Sequence, residues 1–444
     1  MRIFPVLVCV LLLRIGPLFG QGRAGEAENT AAREIRVGIT QGDAGGAEPR
    51  AIQAAIDRMA GMGGGTVRIG PGRCVLRNAL TLRSNVRVLG TPGSTVLASC
   101  AGTRSRLARD AAHNTDRIML ADEAGFRVGD GVAIRDDRSP AAFSVTTATL
   151  AEKTGPKTFR LSVPLVQDYA VSRGGTVALA FPLIGGWNVQ DAAVQGLTID
   201  GNRHKAEALD GCRGAGIYLY ACQRVTIRNC TVRNYRGDGI SFQWSSGSVT
   251  VEDCLVENCA VFGLHPGSDS HHSAVRRNRS VGNGGPGLFV CENVRHTVFE
   301  KNELRGNQGP GISIGCRDAD NVFRENTIIA NGGAGILFRD DGGEDKGAHR
   351  NVFEKNVVLD NGSPSKDNPS PACVAILGTH RDLVFRENTL GNTGRGGPGR
   401  IGILVAGDAK NLRSEANRFL NLKTEVDWGA PRGPLKPPTD PRSE

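Results

Sequence analysis

"VTIRNCTVRNYRGDGISFQWSSGS", Val225–Ser248, runs without a gap into "VTVEDCLVENCAVFGLHPGSDSHH", Val249–His272. Two more rows of equal length follow, "SAVRRNRSVGNGGPGLFVCENVRH" from Ser273 and "TVFEKNELRGNQGPGISIGCRDAD" from Thr297. The third position of every row is apolar: Ile227, Val251, Val275 and Phe299, then Phe323 and Phe353 in the less regular rows beyond. Val232, Val256 and Leu304 repeat this at position eight, and Ile240, Leu264, Leu288 and Ile312 at position sixteen. Each lies in a short alternating segment, so each row reads as three short strands turning one face to a shared core. A fixed period of this length implies coils stacked into a solenoid.

Two columns sharpen the reading. Position six carries Cys230 and Cys254, then Asn278, Asn302, Asn326, Asn356 and Asn388. An inward Asn at a tight bend can bond the turn backbone and the next Asn of the stack. Position fifteen is Gly at 239, 263, 287, 311 and 335, which suggests a bend requiring positive φ. The rows resemble the right-handed parallel β-helix of the pectate-lyase superfamily. "EPRAIQAAIDRMAGMGGGTVRIGPGRCVLRNALTLRSNVRVLG", residues 48–90, is similar to that family's opening, with a capping helix, a "GGGTV" segment and the first coils. Ile52, Ala55, Ile56 and Met59 share one helical face that can plug the open end of the solenoid.

The expected fold class is all-β, a right-handed parallel β-helix with a capping helix and a small β-rich insertion. Residues 1–22 read as a signal peptide, with Arg2 before the apolar run Ile3–Leu13. Residues 35–100 hold the cap and first coils, and 101–184 a β-rich insertion containing "FRVGDGVAIRD" and "FRLSVPLVQDYAVSRGGTVALAF". Repeats fill 185–426, and a Pro-rich disordered tail occupies 427–444. The apolar run is too short for a permanent anchor, so the mature protein is expected to be secreted or periplasmic. Of 11 cysteines, Cys9 would leave with the signal, and the remaining ten permit disulfides. Cys230 and Cys254 fall at neighbouring inward positions, as a thiol pair or a disulfide. No CxxC pair marks a zinc site.

Side chains at positions 17 and 19 point away from the core. They read Tyr218, Ser241, His265 and Tyr220, Gln243 over consecutive rows, so coil stacking at roughly 4.8 Å gathers them into one patch. Asp238 borders the patch, and Trp244, Asp269, Glu292, Arg317 and Arg339 rim it. Aromatic rings beside acids and a histidine suit a sugar chain. His265, Asp238, Tyr218, Arg317 and Glu292 are the candidate catalytic residues. Tyr220, Ser241, Gln243, Trp244, Asp269 and Arg339 are the candidate binding residues. His271 and His272 read as a solvated turn, and no metal ligand set is assigned.

The resemblance implies a carbohydrate-active protein but not one activity, because the fold hosts lyases, hydrolases, epimerases and tailspikes. The paired-aspartate and Gly-His-Gly motifs of polygalacturonases and the Trp-Ile-Asp-His segment of pectate lyases are absent. Phe262-Gly263-Leu264-His265-Pro266-Gly267 is similar to the Tyr-Gly-Phe-Asp-Pro-His segment of alginate C5-epimerases, with His at the family's Asp and Gly at its His. Epimerase machinery therefore does not carry over. A polysaccharide lyase acting on a uronate polymer ranks first: an Arg steadies the carboxylate, His265 takes the C5 proton and a tyrosine protonates the leaving oxygen. A glycoside hydrolase using Asp238 with Glu292 or Asp269 ranks second, since Asp238 and Glu292 stand two coils apart, at the edge of the roughly 5–9.5 Å such pairs need. A non-catalytic carbohydrate-binding protein ranks third. The net charge of +9 favours an acidic polysaccharide as partner. No nucleic acid, membrane or second subunit is expected. No cofactor is expected either, although calcium assists several relatives.

Overall fold

The structure is a computed structural model describing residues 33–39, 47–362, 371–394 and 400–429. Residues 1–22, read above as a signal peptide, and all but the first three residues of the expected tail lie outside this set. Three parallel sheets of 12, 11 and 11 strands form the walls of a β-helix, each strand pairing with its counterpart one coil away. Thr226–Arg228, Thr250–Glu252 and Ala274–Arg276 are successive rungs of the first sheet. Thr231–Arg233, Leu255–Glu257 and Arg279–Val281 are rungs of the second. Asp238–Gln243, Leu264–Pro266 and Leu288–Phe289 are rungs of the third. The last rung of the third sheet is Thr424–Trp428, so Asp427 and Trp428 belong to the solenoid and not to the tail.

The interior follows the columns. Ile227, Val251, Val275, Phe299, Phe323, Phe353 and Phe385 are wholly buried. The phenylalanines stack at 4.6, 4.4 and 5.0 Å between ring centroids. At the bend, Asn278, Asn302, Asn326, Asn356 and Asn388 form a ladder. Each Nδ2 donates to the Oδ1 of the next rung and to a core-strand carbonyl, so the amide nitrogens of this file are paired. A second ladder, Asn283–Asn307–Asn331–Asn361, was not read from the sequence. Cys230 and Cys254, heading the first file, are buried thiols.

The glycine column has another cause than expected. Positive φ falls instead on the residue before the inward position, as at Asn229, Asp253, Arg277 and Lys301. Gly239, Gly263, Gly287 and Gly311 are required by crowding: a Cβ on Gly239 would lie 2.2 Å from Val256 Cγ1 and 2.7 Å from the Gly263 carbonyl. The same approach repeats up the file, which places these glycines in one axial row.

Helix Ala47–Gly61 caps the amino-terminal end, with Ile52, Ala55, Ile56 and Met59 buried against the first coils. Between Arg104 and Leu179 the chain leaves the solenoid as a six-stranded sheet, antiparallel throughout its pairings. It has its own core around Leu120, Ile134, Phe159 and Tyr169. Among the described residues no helix is long and apolar enough to cross a membrane.

Candidate functional site

The third sheet brings the outward residues together. Tyr218, Ser241 and His265 are partners in one row, and Tyr220 and Gln243 in the next. Asp238 begins the strand one rung before His265. Its Oδ2 lies 2.6 Å from His265 Nδ1, and its Oδ1 accepts the Phe262 N–H at 3.1 Å. The carboxylate holds an imidazole proton on Nδ1 and turns Nε2 to the far side of the ring. Nε2 is buried without a hydrogen-bond partner. The ring stands edge-on to Phe262 and Phe289, at 5.3 and 5.1 Å.

The patch is covered, which the column reading did not anticipate. Side chains of Asp238 and His265 are 1% and 3% exposed. Ser241, Gln243 and Tyr218 are buried too. Residues 201–214, between the Thr198–Asp200 and Ala215–Tyr220 strands, lie across them. A Cβ on Gly211 would fall 1.7 Å from Asp238 Oδ2, so the loop backbone rests directly on the pair. Ser241 donates to the Gly211 carbonyl at 2.8 Å, and Tyr218 to the Cys212 carbonyl at 2.8 Å. Burial pushes the Tyr218 phenol well above its ordinary value. Committed to a carbonyl and held protonated, Tyr218 is a poor acid–base group.

The insertion holds the loop. Leu209 packs among Ala133, Val145 and Ala180. Arg135 donates to the Ala208 carbonyl at 3.1 Å, Arg104 pairs with Glu207 at 2.5 Å, and Arg213 donates to the Phe143 carbonyl. No row pattern could reveal this cover, because its polar anchors at Arg104, Arg135 and Phe143 lie 70 residues or more away in sequence, outside the repeats.

The rim residues separate from the pair. Glu292 and Arg317 form a half-exposed ion pair at 2.5 Å. Asp269 accepts from Asn293 in an exposed turn. Arg339 lies 4.5 Å above the Phe289 ring, donates to Ser313 Oγ and the Val290 carbonyl at 3.0 Å each, and has Asp341 and Asp318 at 3.5 and 3.8 Å. Its charge is already balanced. Burial raises the Asp318 carboxyl to about 7, against the opposing pull of Arg339 and two backbone N–H groups. Asp318 and Asp341 were missed in the sequence; they are turn residues with no columnar signal. Of the carboxylates considered for hydrolysis, Asp238 is hydrogen-bonded to His265, Glu292 is paired with Arg317 at the exposed rim, and Asp269 accepts from Asn293.

Two exposed aromatics flank the patch. Trp244 stacks on Tyr220 at 6.0 Å and 6°, and Trp187 is Tyr220's partner one coil earlier. Extending the Tyr220 column back one row would have found Trp187. Among the described residues no group of three or more His, Cys, Asp or Glu is placed to hold a metal ion.

A family model for the right-handed beta helix region matches residues 183–328 and 290–425. Among solved structures, the A-module of mannuronan C-5 epimerase AlgE4 from Azotobacter vinelandii is similar with a TM-score of 0.56 and 15% identity, over 88% of this chain and 96% of that one. The Dettilon tailspike protein is similar with a TM-score of 0.57 and 12% identity, over 87% of this chain and 62% of that one. At these identities the likeness is one of fold. Comparison with curated proteins gives no significant match.

Proposed function

The chain belongs to the right-handed β-helix family, and on that premise we propose that it is an exported enzyme that cleaves an acidic polysaccharide by β-elimination. The observation that carries this reading is the Asp238–His265 hydrogen bond with an unpartnered Nε2 beyond it. His265 Nε2 takes the C5 proton of a uronate residue. The electron pair left behind forms the C4–C5 double bond as the C4–O bond breaks. Tyr220, partly exposed and in the next row, protonates the departing oxygen in place of Tyr218. Arg317 meets the carboxylate, because its half-exposed pairing with Glu292 is worth little and exchanges readily. Arg339 stays with its acids. Residues 201–214 lift to admit the polymer. No step calls on a metal, and a chelator is expected to leave the rate unchanged.

The test is release of unsaturated product, followed by ultraviolet absorbance, from alginate, polygalacturonate and glycosaminoglycans. His265→Ala is expected to lower turnover by about 10²–10⁴-fold, the range for loss of a general base. Unchanged turnover in that variant rejects the assignment. A second reading, polysaccharide binding without turnover, is favoured by the burial of the pair beneath residues 201–214. It expects retention on a polymer and no product from any of them.

A further inference from the structure

We propose that the polysaccharide extends from His265 toward the amino-terminal coils, over an aromatic shelf of Trp187, Tyr220 and Trp244 with Phe143 of the insertion as its side wall. This rests on the outward face being a polysaccharide site, and it adds the subsites and their direction.

The chain has three tryptophans, and all three are exposed, Trp187 by 37%, Trp244 by 48% and Trp428 by 62%. Leaving so large an apolar ring in water forgoes the stabilisation that burial would bring. Trp187 and Trp244 flank Tyr220 along one sheet, Trp187 on the rung before it and Trp244 at the end of the rung after it. Trp187 lies across Gly185, where a Cβ would fall 2.2 Å from the ring, and stands 6.1 Å from Tyr218, in the same row as His265. Tyr220 and Trp244 are nearly parallel, and Phe143 meets Trp244 edge-on at 5.4 Å. The shelf thus spans three rungs, roughly 4.8 Å apart, a series of aromatic side chains against which pyranose rings can pack through their C–H faces. Its side chains carry no charge, so it reads ring shape and leaves carboxylate recognition to the region of His265 and Arg317.

On the other side of His265 the surface changes character. Phe289 is covered by the Arg339 guanidinium, and Ser313, Asp318 and Asp341 follow. Among the described residues no exposed large aromatic lies there until Trp428, on the last coil. A chain leaving His265 in that direction finds nothing to stack on.

The test is native affinity electrophoresis in gels cast with alginate, polygalacturonate, chondroitin sulfate or a neutral β-glucan. All variants carry His265→Ala so that the matrix stays intact. Trp187→Ala and Trp244→Ala are each expected to weaken retardation by about tenfold in Kd, Trp244→Phe much less, and Trp428→Ala not at all. The shelf is overturned if Trp187→Ala and Trp244→Ala migrate like their parent, if Trp428→Ala weakens binding equally, or if no polymer retards the parent. Retardation without product from the intact enzyme rejects elimination and keeps the shelf. Product with unaltered binding in Trp187→Ala and Trp244→Ala rejects the shelf alone.

Discussion

The Asn file inside the coils and the outward row of the third sheet share one 24-residue period, and they use it in opposite ways. The inner file repeats its residue, because each amide must meet an identical amide above and below it. The outer row changes at every rung, from Tyr218 to Ser241, His265, Phe289, Ser313 and Leu337. Repetition marks the scaffold, where every coil has the same backbone groups to satisfy. Variation marks the surface, where the backbone asks nothing of the side chain and a ligand can. The outer row is also the only one of the two that other parts of the molecule reach across to cover.

Breaking the outer row should affect turnover far more than stability. Asp238→Asn keeps the shape but releases the imidazole from its tautomer, and a fall in kcat of about 10³-fold is expected with little change in melting temperature. Steady-state kinetics beside thermal unfolding checks both halves. Breaking the inner file should do the reverse. Asn302→Ala removes the acceptor of the Asn278 backbone and side-chain amides and the donor to Val275 and Asn326. The groups left buried and unpaired should cost about 4 kcal/mol in urea unfolding, with turnover preserved where the fold persists.

A third measurement concerns pH. Burial depresses His380 to about 4 from an unfolded value of 6.5, and its neutral ring accepts the Ala348 N–H on Nδ1 at 3.0 Å. A depressed histidine contributes its stability fully above pH 6.5 and loses it as pH falls through 4, by about 3 kcal/mol in all. His380→Gln is expected to flatten that part of the stability–pH curve. The smallest effect belongs to the rim: Arg317→Ala should alter stability by less than about 1 kcal/mol, because its pair with Glu292 is half exposed. A larger loss of stability would mark the rim as scaffold and blur the contrast between the two files.

The inner columns were legible because a strand's two-residue alternation and a fixed coil length constrain every rung alike. The cap face of Ile52, Ala55, Ile56 and Met59 was legible for the same kind of reason, a helical period facing a hole. The glycine file was legible in position but not in cause: the sequence shows that no side chain is tolerated, not whether φ or crowding forbids it. The outward patch was legible as neighbours, since Tyr218, Ser241 and His265 do share a row. Its burial was not, because the cover rests on Leu209 meeting Ala133, Val145 and Ala180, contacts between segments that share no period. Gly211 has no columnar partner either, although it touches the pair most closely.

The account stands on the Asp238–His265 pair being the point where a sugar chain reacts once residues 201–214 move aside. A crystal structure of the His265→Gln variant soaked with a uronate oligosaccharide tests this directly. A sugar ring seated beside residue 265 with residues 201–214 displaced is the expected result. An oligosaccharide bound elsewhere, with Gly211 still resting on Asp238, would contradict it.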